Sequence, residues 1–368
     1  MLKELDPKTV RGPDGASDGG PVQGLGAIDC DVHPRSPEQA DLMPFLDSYW
    51  RDMLPYRDIG HMELTSYPFA TKTFRAEGAD GGVATPARLA EAHLDPLGLS
   101  AAVLNVVNGV QALFDPYMQA ALCQATNRWL AAEWLDHDPR LRGALLVPFR
   151  HVEEAVAEIK RYADDRRFVQ VLAICMGDGL LGQREYWPIW RAASEAGFAL
   201  SIHPGSNYRH APTQSGFLSY LVEEQVTWTQ GFASQTASLL SEGVLTEFPD
   251  MKVVMAESGI SWLFGLSWRM AKDWRGSRVE VPWLKESPEV VLQRQLRFTL
   301  HPFDLPDDPE EVAAVIDCVG GSDMLLFSSD FPHDQGPRAA LWPAGLAPDL
   351  APAICRDNIL ATYPRLEV

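Results

Sequence analysis

Eight short apolar runs alternate along this chain with stretches of helical spacing, and that alternation limits the possible folds more than any other feature. The runs cover residues 27–33, 101–107, 143–149, 168–176, 198–205, 252–257, 296–300 and 324–333. Helical spacing marks 42–54, 87–97, 116–137, 152–163, 185–196, 217–248, 260–274, 310–319 and 352–363, with Gly231 and Gly243 as expected turn or cap positions. Strands alternating with helices imply βαβ units and a parallel sheet, and eight of them favour closure. The expected fold class is therefore α/β, a (β/α)8 TIM barrel. An open doubly wound sheet is the alternative, but no G-x-G-x-x-G follows any of the runs, so its dinucleotide-binding version lacks its phosphate cradle.

Three of the runs close on residues able to ligate a metal. The first ends with Asp31 and His33, the fifth near His203 and the eighth with Asp330. Strand ends meet at one face of a barrel, where such folds keep their chemistry, so residues about 170 and 300 positions apart can converge there. Asp29, Asp31 and His33 alternate on one face of an extended segment. Each residue alone has an ordinary structural reading, as a cap or a satisfied strand-end polar group. Together, two carboxylates and two imidazoles form an N/O site for one divalent ion, best suited to Zn²⁺, with Mn²⁺ or Fe²⁺ as alternatives.

Two unusual segments flank the first run. Residues 1–26 are rich in Gly, Asp and Pro and read as a flexible N-terminal arm, leaving 27–368 as the barrel domain. The polar, Gly- and Pro-rich stretch 55–86 is too long for an ordinary connection, and it is expected to be an inserted loop region acting as a lid.

The formal charge of −19 argues against nucleic acid or an anionic membrane as a partner. The five cysteines have no CxxC spacing and indicate neither a disulfide framework nor a structural zinc site. With no signal peptide or membrane span in the sequence, the expected location is cytoplasmic. The expected partner is a small-molecule substrate. Other polar residues fall near the predicted mouth: His301 after the seventh run, His333 three residues past Asp330, and Asn105 and Asn108 after the second. The histidines are candidates to donate to a substrate or to orient a ligand, and the asparagines to bind substrate or cap. Arg75 and His61 lie in the 55–86 stretch, from which an arginine could grip a carboxylate. Neither G-x-S-x-G nor G-x-x-x-x-G-K-[ST] is present.

The order of IDCDVHP, ARLAEAHLDPLGLSAAVLN, SIHPG, FPDMKVVMAESGISWL, LRFTLHPFD and LLFSSDFPH resembles the amidohydrolase superfamily. The likeness is to its amidohydrolase-related branch of aminocarboxymuconate-semialdehyde and γ-resorcylate decarboxylase-like proteins. That resemblance implies metal ligands at Asp31, His33, His203 and Asp330, with Asp330 also taking a proton from bound water, and a homodimer or higher homo-oligomer. It also exposes a departure. The branch's decarboxylases carry a His after strand six, often with a Glu three residues later, whereas this chain has Glu257 and Ile260. Glu257 is open to several roles: extra metal ligand, general acid or base, or structural group.

The expected activity is a metal-dependent hydrolase acting on an amide, lactone or related bond through activated water, with Asp330 and Glu257 as proton-transfer groups. The alternative is a metal-dependent, non-oxidative decarboxylase of an aromatic or enamine-type acid. A barrel that only binds is a third reading, disfavoured by the complete ligand set.

Overall fold

The computed structural model describes residues 20–57, 83–333 and 341–368. Its eight strands are β1 (Ile28–Val32), β2 (Ala101–Leu104), β3 (Leu141–Leu146), β4 (Phe168–Met176), β5 (Ala199–Ser206), β6 (Val253–Met255), β7 (Leu296–Thr299) and β8 (Leu325–Leu326). They pair in sequence order, all in parallel. The seam between β8 and β1 is joined by three backbone bonds: Cys30 N–H to Phe327 O, His33 N–H to Phe331 O and Asp330 N–H to Asp31 O. The chain is thus a (β/α)8 barrel. Its strands are buried almost throughout because the barrel packing covers one face and the helices the other.

Several elements differ from the sequence expectation for local reasons. Strand β6 stops at Met255 because Glu257 takes a left-handed backbone, φ +49°, and turns the chain. Strand β8 is two residues long because the Phe327 N–H leaves the sheet to bond Ile354 O of the C-terminal helical segment. The 42–54 stretch divides into Met43–Phe45 and a helix Ser48–Arg57. Helix Leu221–Ser241 ends before Gly243, which has φ +91° and starts a separate helix, Val244–Glu247. Gly231 is not a turn: it lies inside that helix, where a Cβ would come within 3.1 Å of the Met176 side chain, so its smallness permits close packing. Helix Pro288–Gln295 was not anticipated, although Pro at its first position is a start signal.

Residues 20–26 of the arm pack on the barrel: Val22 is fully buried, and Gly26 O accepts from Ser100 Oγ and Arg356 Nη1. The insertion re-enters beside the first strand, where Val83 N–H donates to His33 O and Arg35 N–H to Val83 O. Residues 58–82, with His61 and Arg75, lie outside the described residues, so the lid and the arginine contact are not addressed by the fold. No described helix is long and apolar enough to cross a membrane.

At the opposite chain end, Arg365 is fully buried and stacks on Phe198 at 3.9 Å. Its guanidinium donates to the carbonyls of Phe168, Ala163, Ala196, Tyr162 and Asp165, stapling the C-terminus to β4 and the flanking turns. Burial pushes its pKa down to about 10. Arg365→Met is expected to destabilise the fold by at least about 3 kcal/mol, because several buried carbonyls lose their donor at once. Urea denaturation measures this; a change under about 1 kcal/mol would mean water replaces the guanidinium readily.

Candidate metal centre

The C-terminal end of β1 places Asp31 and His33 in the mouth, both buried. Asp31 is held by Asn105, whose Nδ2 donates to Asp31 Oδ1 at 2.8 Å. The chain of bonds continues inward: Gln170 Nε2 donates to Asn105 Oδ1 at 2.9 Å, and the Tyr363 hydroxyl to Gln170 Oε1 at 2.8 Å. A buried carboxylate needs such fixed donors, or its orientation is left to compete with desolvation.

Both mouth histidines are anchored alike. His33 Nδ1 lies 3.2 Å from Asn105 O, and His203 Nδ1 lies 3.0 Å from Pro204 O. A proton on each Nδ1 satisfies those carbonyls and turns each Nε2 toward a common point, the usual arrangement of imidazole ligands.

Around His33 Nε2 stand three carboxylate oxygens: Asp31 Oδ1 at 3.2 Å, Glu257 Oε1 at 3.1 Å and Asp330 Oδ1 at 3.1 Å. One ring nitrogen carries at most one hydrogen and cannot satisfy all three. Among the described residues, Asp31 Oδ2 and His203 Nε2 are buried and make no hydrogen bond, although Glu257 Oε1 is only 2.7 Å from His203 Nε2. Candidate ligand atoms of Asp31, His33, His203 and Glu257 all lie within 4.8 Å of one another, as do those of His33, Glu257, Asp330 and His333. The donor set suits one hard-to-borderline divalent cation.

Electrostatics agree. Burial works against charge on His33, but Asp31, Asp330 and Glu257 outweigh it and hold the imidazole well above its ordinary value. His203 is raised in the same way, burial being overcome by Glu257 and Asp31. Burial raises Asp31, with partial relief from His33 and His203. For Glu257 burial also pushes upward, yet the two histidines win and hold it well below the usual carboxylate range. The pocket therefore calls for positive charge, as protons on imidazoles or as a cation.

Two turns at the mouth are strained. Glu257 and Asp330 are non-glycine residues at φ +49° and +57°. The Glu257 N–H is tied to Thr299 Oγ1 at 2.8 Å and the Asp330 N–H to Asp31 O at 3.1 Å. These bonds hold the backbones in a region that L-residues seldom visit.

The remaining predicted residues are distributed as follows. His333 stacks on His33, ring centroids 4.5 Å apart, and its Nδ1 is 2.7 Å from Asp330 Oδ1. His301 sits apart, buried, with Nε2 3.4 Å from Leu341 O. Asn105 orients Asp31, as above, and Asn108 Oδ1 accepts from Val110 N–H and caps a short turn. Asp29 takes no part in the candidate ligand cluster: its carboxylate takes His93 Nε2 at 2.8 Å, the Ser329 hydroxyl at 2.5 Å, and the backbone N–H groups of Ser329 and Asp31. It thereby ties the ends of β1 and β8 together beside Asp330. His93 and Ser329 had no local sequence signal, being 64 and 300 residues from Asp29.

The family model for amidohydrolases matches residues 28–365 of this chain. The chain belongs to the amidohydrolase family. A gamma-resorcylate decarboxylase of Polaromonas sp. (strain JS666 / ATCC BAA-500) is 22% identical over 261 residues, spanning 68% of this chain and 78% of that protein. Among solved structures, an amidohydrolase from Mycobacterium avium subsp. paratuberculosis K-10 superposes with a TM-score of 0.68 at 24% identity, covering 91% of this chain and 98% of its own. A dihydroxybenzoic acid decarboxylase from Polaromonas sp. JS666, with bound manganese and the inhibitor 2-nitroresorcinol, gives 0.63 at 18% identity, covering 93% and 98%. The named relatives fit the decarboxylase alternative of the sequence reading better than its hydrolase reading.

Proposed function

We propose that the protein is a metal-dependent, non-oxidative decarboxylase of a small hydroxylated aromatic acid. The supporting observation is the likeness, over about two thirds of the chain, to gamma-resorcylate decarboxylases, set beside a mouth that gathers Asp31, His33, His203 and Asp330. Those four side chains would hold one divalent cation, Mn²⁺ or Zn²⁺, as supported by the donor set and by the manganese in the Polaromonas decarboxylase. When bound there, such a cation would supply Lewis acidity toward the substrate's oxygen groups.

The protein's own groups then manage one proton. Asp330 is fully buried at the barrel mouth, and His333 beside it is partly open to solvent. Asp330 delivers a proton to the ring carbon that bears the carboxylate, and His333 replenishes it from solvent. The carbon–carbon bond breaks, its electron pair returns to the ring and restores aromaticity, and CO₂ departs. Asn105, Gln170 and Tyr363 keep Asp31 from swinging during this exchange.

A second reading, hydrolysis of an amide or lactone, is favoured by one observation: a carboxylate, Glu257, stands where the branch's decarboxylases have a histidine. Glu257 would then return to the leaving group the proton that Asp330 takes from water. The two readings separate in labelled solvent. Hydroxylated benzoates in D₂O are expected to release CO₂ and gain one deuterium at the former carboxyl carbon. Amides and lactones in H₂¹⁸O are expected to give no labelled product. Uptake of ¹⁸O with no CO₂ from any benzoate would reverse the choice.

A further inference from the structure

Glu257 was left with several roles by its sequence, and its surroundings narrow them to one. Its Oε1 lies 3.1 Å from His33 Nε2 and 2.7 Å from His203 Nε2. The contact with His203 fails as a hydrogen bond, since His203 Nε2 is without a hydrogen-bond partner even at that separation. With its proton on Nδ1 toward Pro204 O, His203 turns a lone pair toward the Glu257 oxygen, and two lone pairs 2.7 Å apart call for a cation between them.

The other separations have the same character. With metal–ligand bonds of about 2.1 Å, adjacent ligand atoms in an octahedral shell stand about 3.0 Å apart, and those in a tetrahedral shell about 3.4 Å. His33 Nε2 is 3.1–3.2 Å from Asp31, Glu257 and Asp330 alike, so each oxygen stands at the spacing of a ligand adjacent to His33. His203 Nε2 is 4.0 Å from Asp31 Oδ2, a more distant pair. Glu257 and His33 belong to both compact donor sets of the mouth, one with Asp31 and His203 and the other with Asp330 and His333, each with ligand atoms within 4.8 Å of one another.

The backbone is arranged for this. Glu257 follows β6 directly, and its left-handed φ and its N–H bond to Thr299 Oγ1 turn the chain at that point. A solvated or merely structural glutamate needs neither strain nor two imidazoles.

We propose that Glu257 is a direct ligand of the cation, a fifth protein donor beside Asp31, His33, His203 and Asp330. This rests on the metal-dependent reading above. It assigns the family's departure after strand six to the metal rather than to proton transfer. A donor set this rich in carboxylates would favour an oxygen-preferring ion such as Mn²⁺ over Zn²⁺.

The test is metal binding, independent of turnover. Wild type, Glu257→Gln and Glu257→Asp are stripped with chelator, and Mn²⁺ affinity is measured by calorimetry, with the Mn²⁺ electron paramagnetic resonance spectrum of each loaded protein. Loss of neighbouring groups that only orient ligands costs about 10–100-fold in affinity, so loss of a ligand is expected to exceed about 100-fold for Glu257→Gln. In chelator the melting temperature is expected to fall, because Glu257 loses its favourable contacts with His33 and His203, and circular dichroism checks that each variant is folded. Glu257→Asp, one methylene shorter, should lose at least about tenfold and serves if the glutamine variant does not fold. Wild-type affinity and an unchanged spectrum in either folded variant would overturn the assignment while leaving the metal reading intact. Failure of the wild type itself to bind Mn²⁺ or Zn²⁺ would overturn both.

Discussion

Asp330→Asn is expected to lower turnover by about 10²–10⁴-fold with the fold unchanged, the usual contribution of a positioned acid or base. Asparagine matches aspartate in shape, and it tolerates the left-handed backbone at φ +57° as well as any residue but glycine, so the strained turn should survive. The Asp330 N–H bond to Asp31 O is a backbone bond and persists in the variant. What is lost is the carboxyl oxygen that faces both His333 Nδ1 at 2.7 Å and His33 Nε2 at 3.1 Å. An amide there can neither carry the proton to carbon nor exchange it with His333. Circular dichroism and metal content establish that the variant is folded and loaded, and CO₂ release then gives the effect. Near-normal turnover under those conditions would remove Asp330 from the proton path.

Stripping divalent ions is expected to abolish turnover and to lower thermal stability. In the ion-free protein three buried or nearly buried carboxylates converge on His33, and protons on the histidines offset part of their charge. A cation binding the folded state alone adds about 2.7 kcal/mol when free metal is at 100 times its dissociation constant. Melting curves should therefore shift upward with added Mn²⁺ or Zn²⁺, and the shift should disappear in His203→Ala. Elemental analysis of protein purified without chelator is the companion measurement. No metal in the protein and no shift on adding either ion would end the metal-dependent reading.

The convergence of Asp31, His33, His203 and Asp330 on one mouth was legible because it obeys local rules. Asp31 and His33 share a face through the two-residue period of a strand. His203 and Asp330 each follow an apolar run that could only be a barrel strand, so one mouth had to receive all four. Glu257 obeys no such rule. Alternation along 252–257 says nothing about a residue beyond the strand's end, and its direction is set by a left-handed φ and by Thr299 on the next strand.

Burial and partners decided the rest. Asp29 shares the alternation of Asp31, yet it is drawn off by His93 and Ser329, so equal spacing produced one cluster member and one clamp. Asn105 and Asn108 are close in sequence and differ in use, one donating to Asp31 and the other capping a turn. The sequence by itself determined the barrel and the convergence of its strand ends, because hydrophobic periodicity and strand order are local properties of a chain. Only the tertiary structure decided which polar groups meet at 3 Å, because that depends on side-chain directions from segments as far as 300 residues apart.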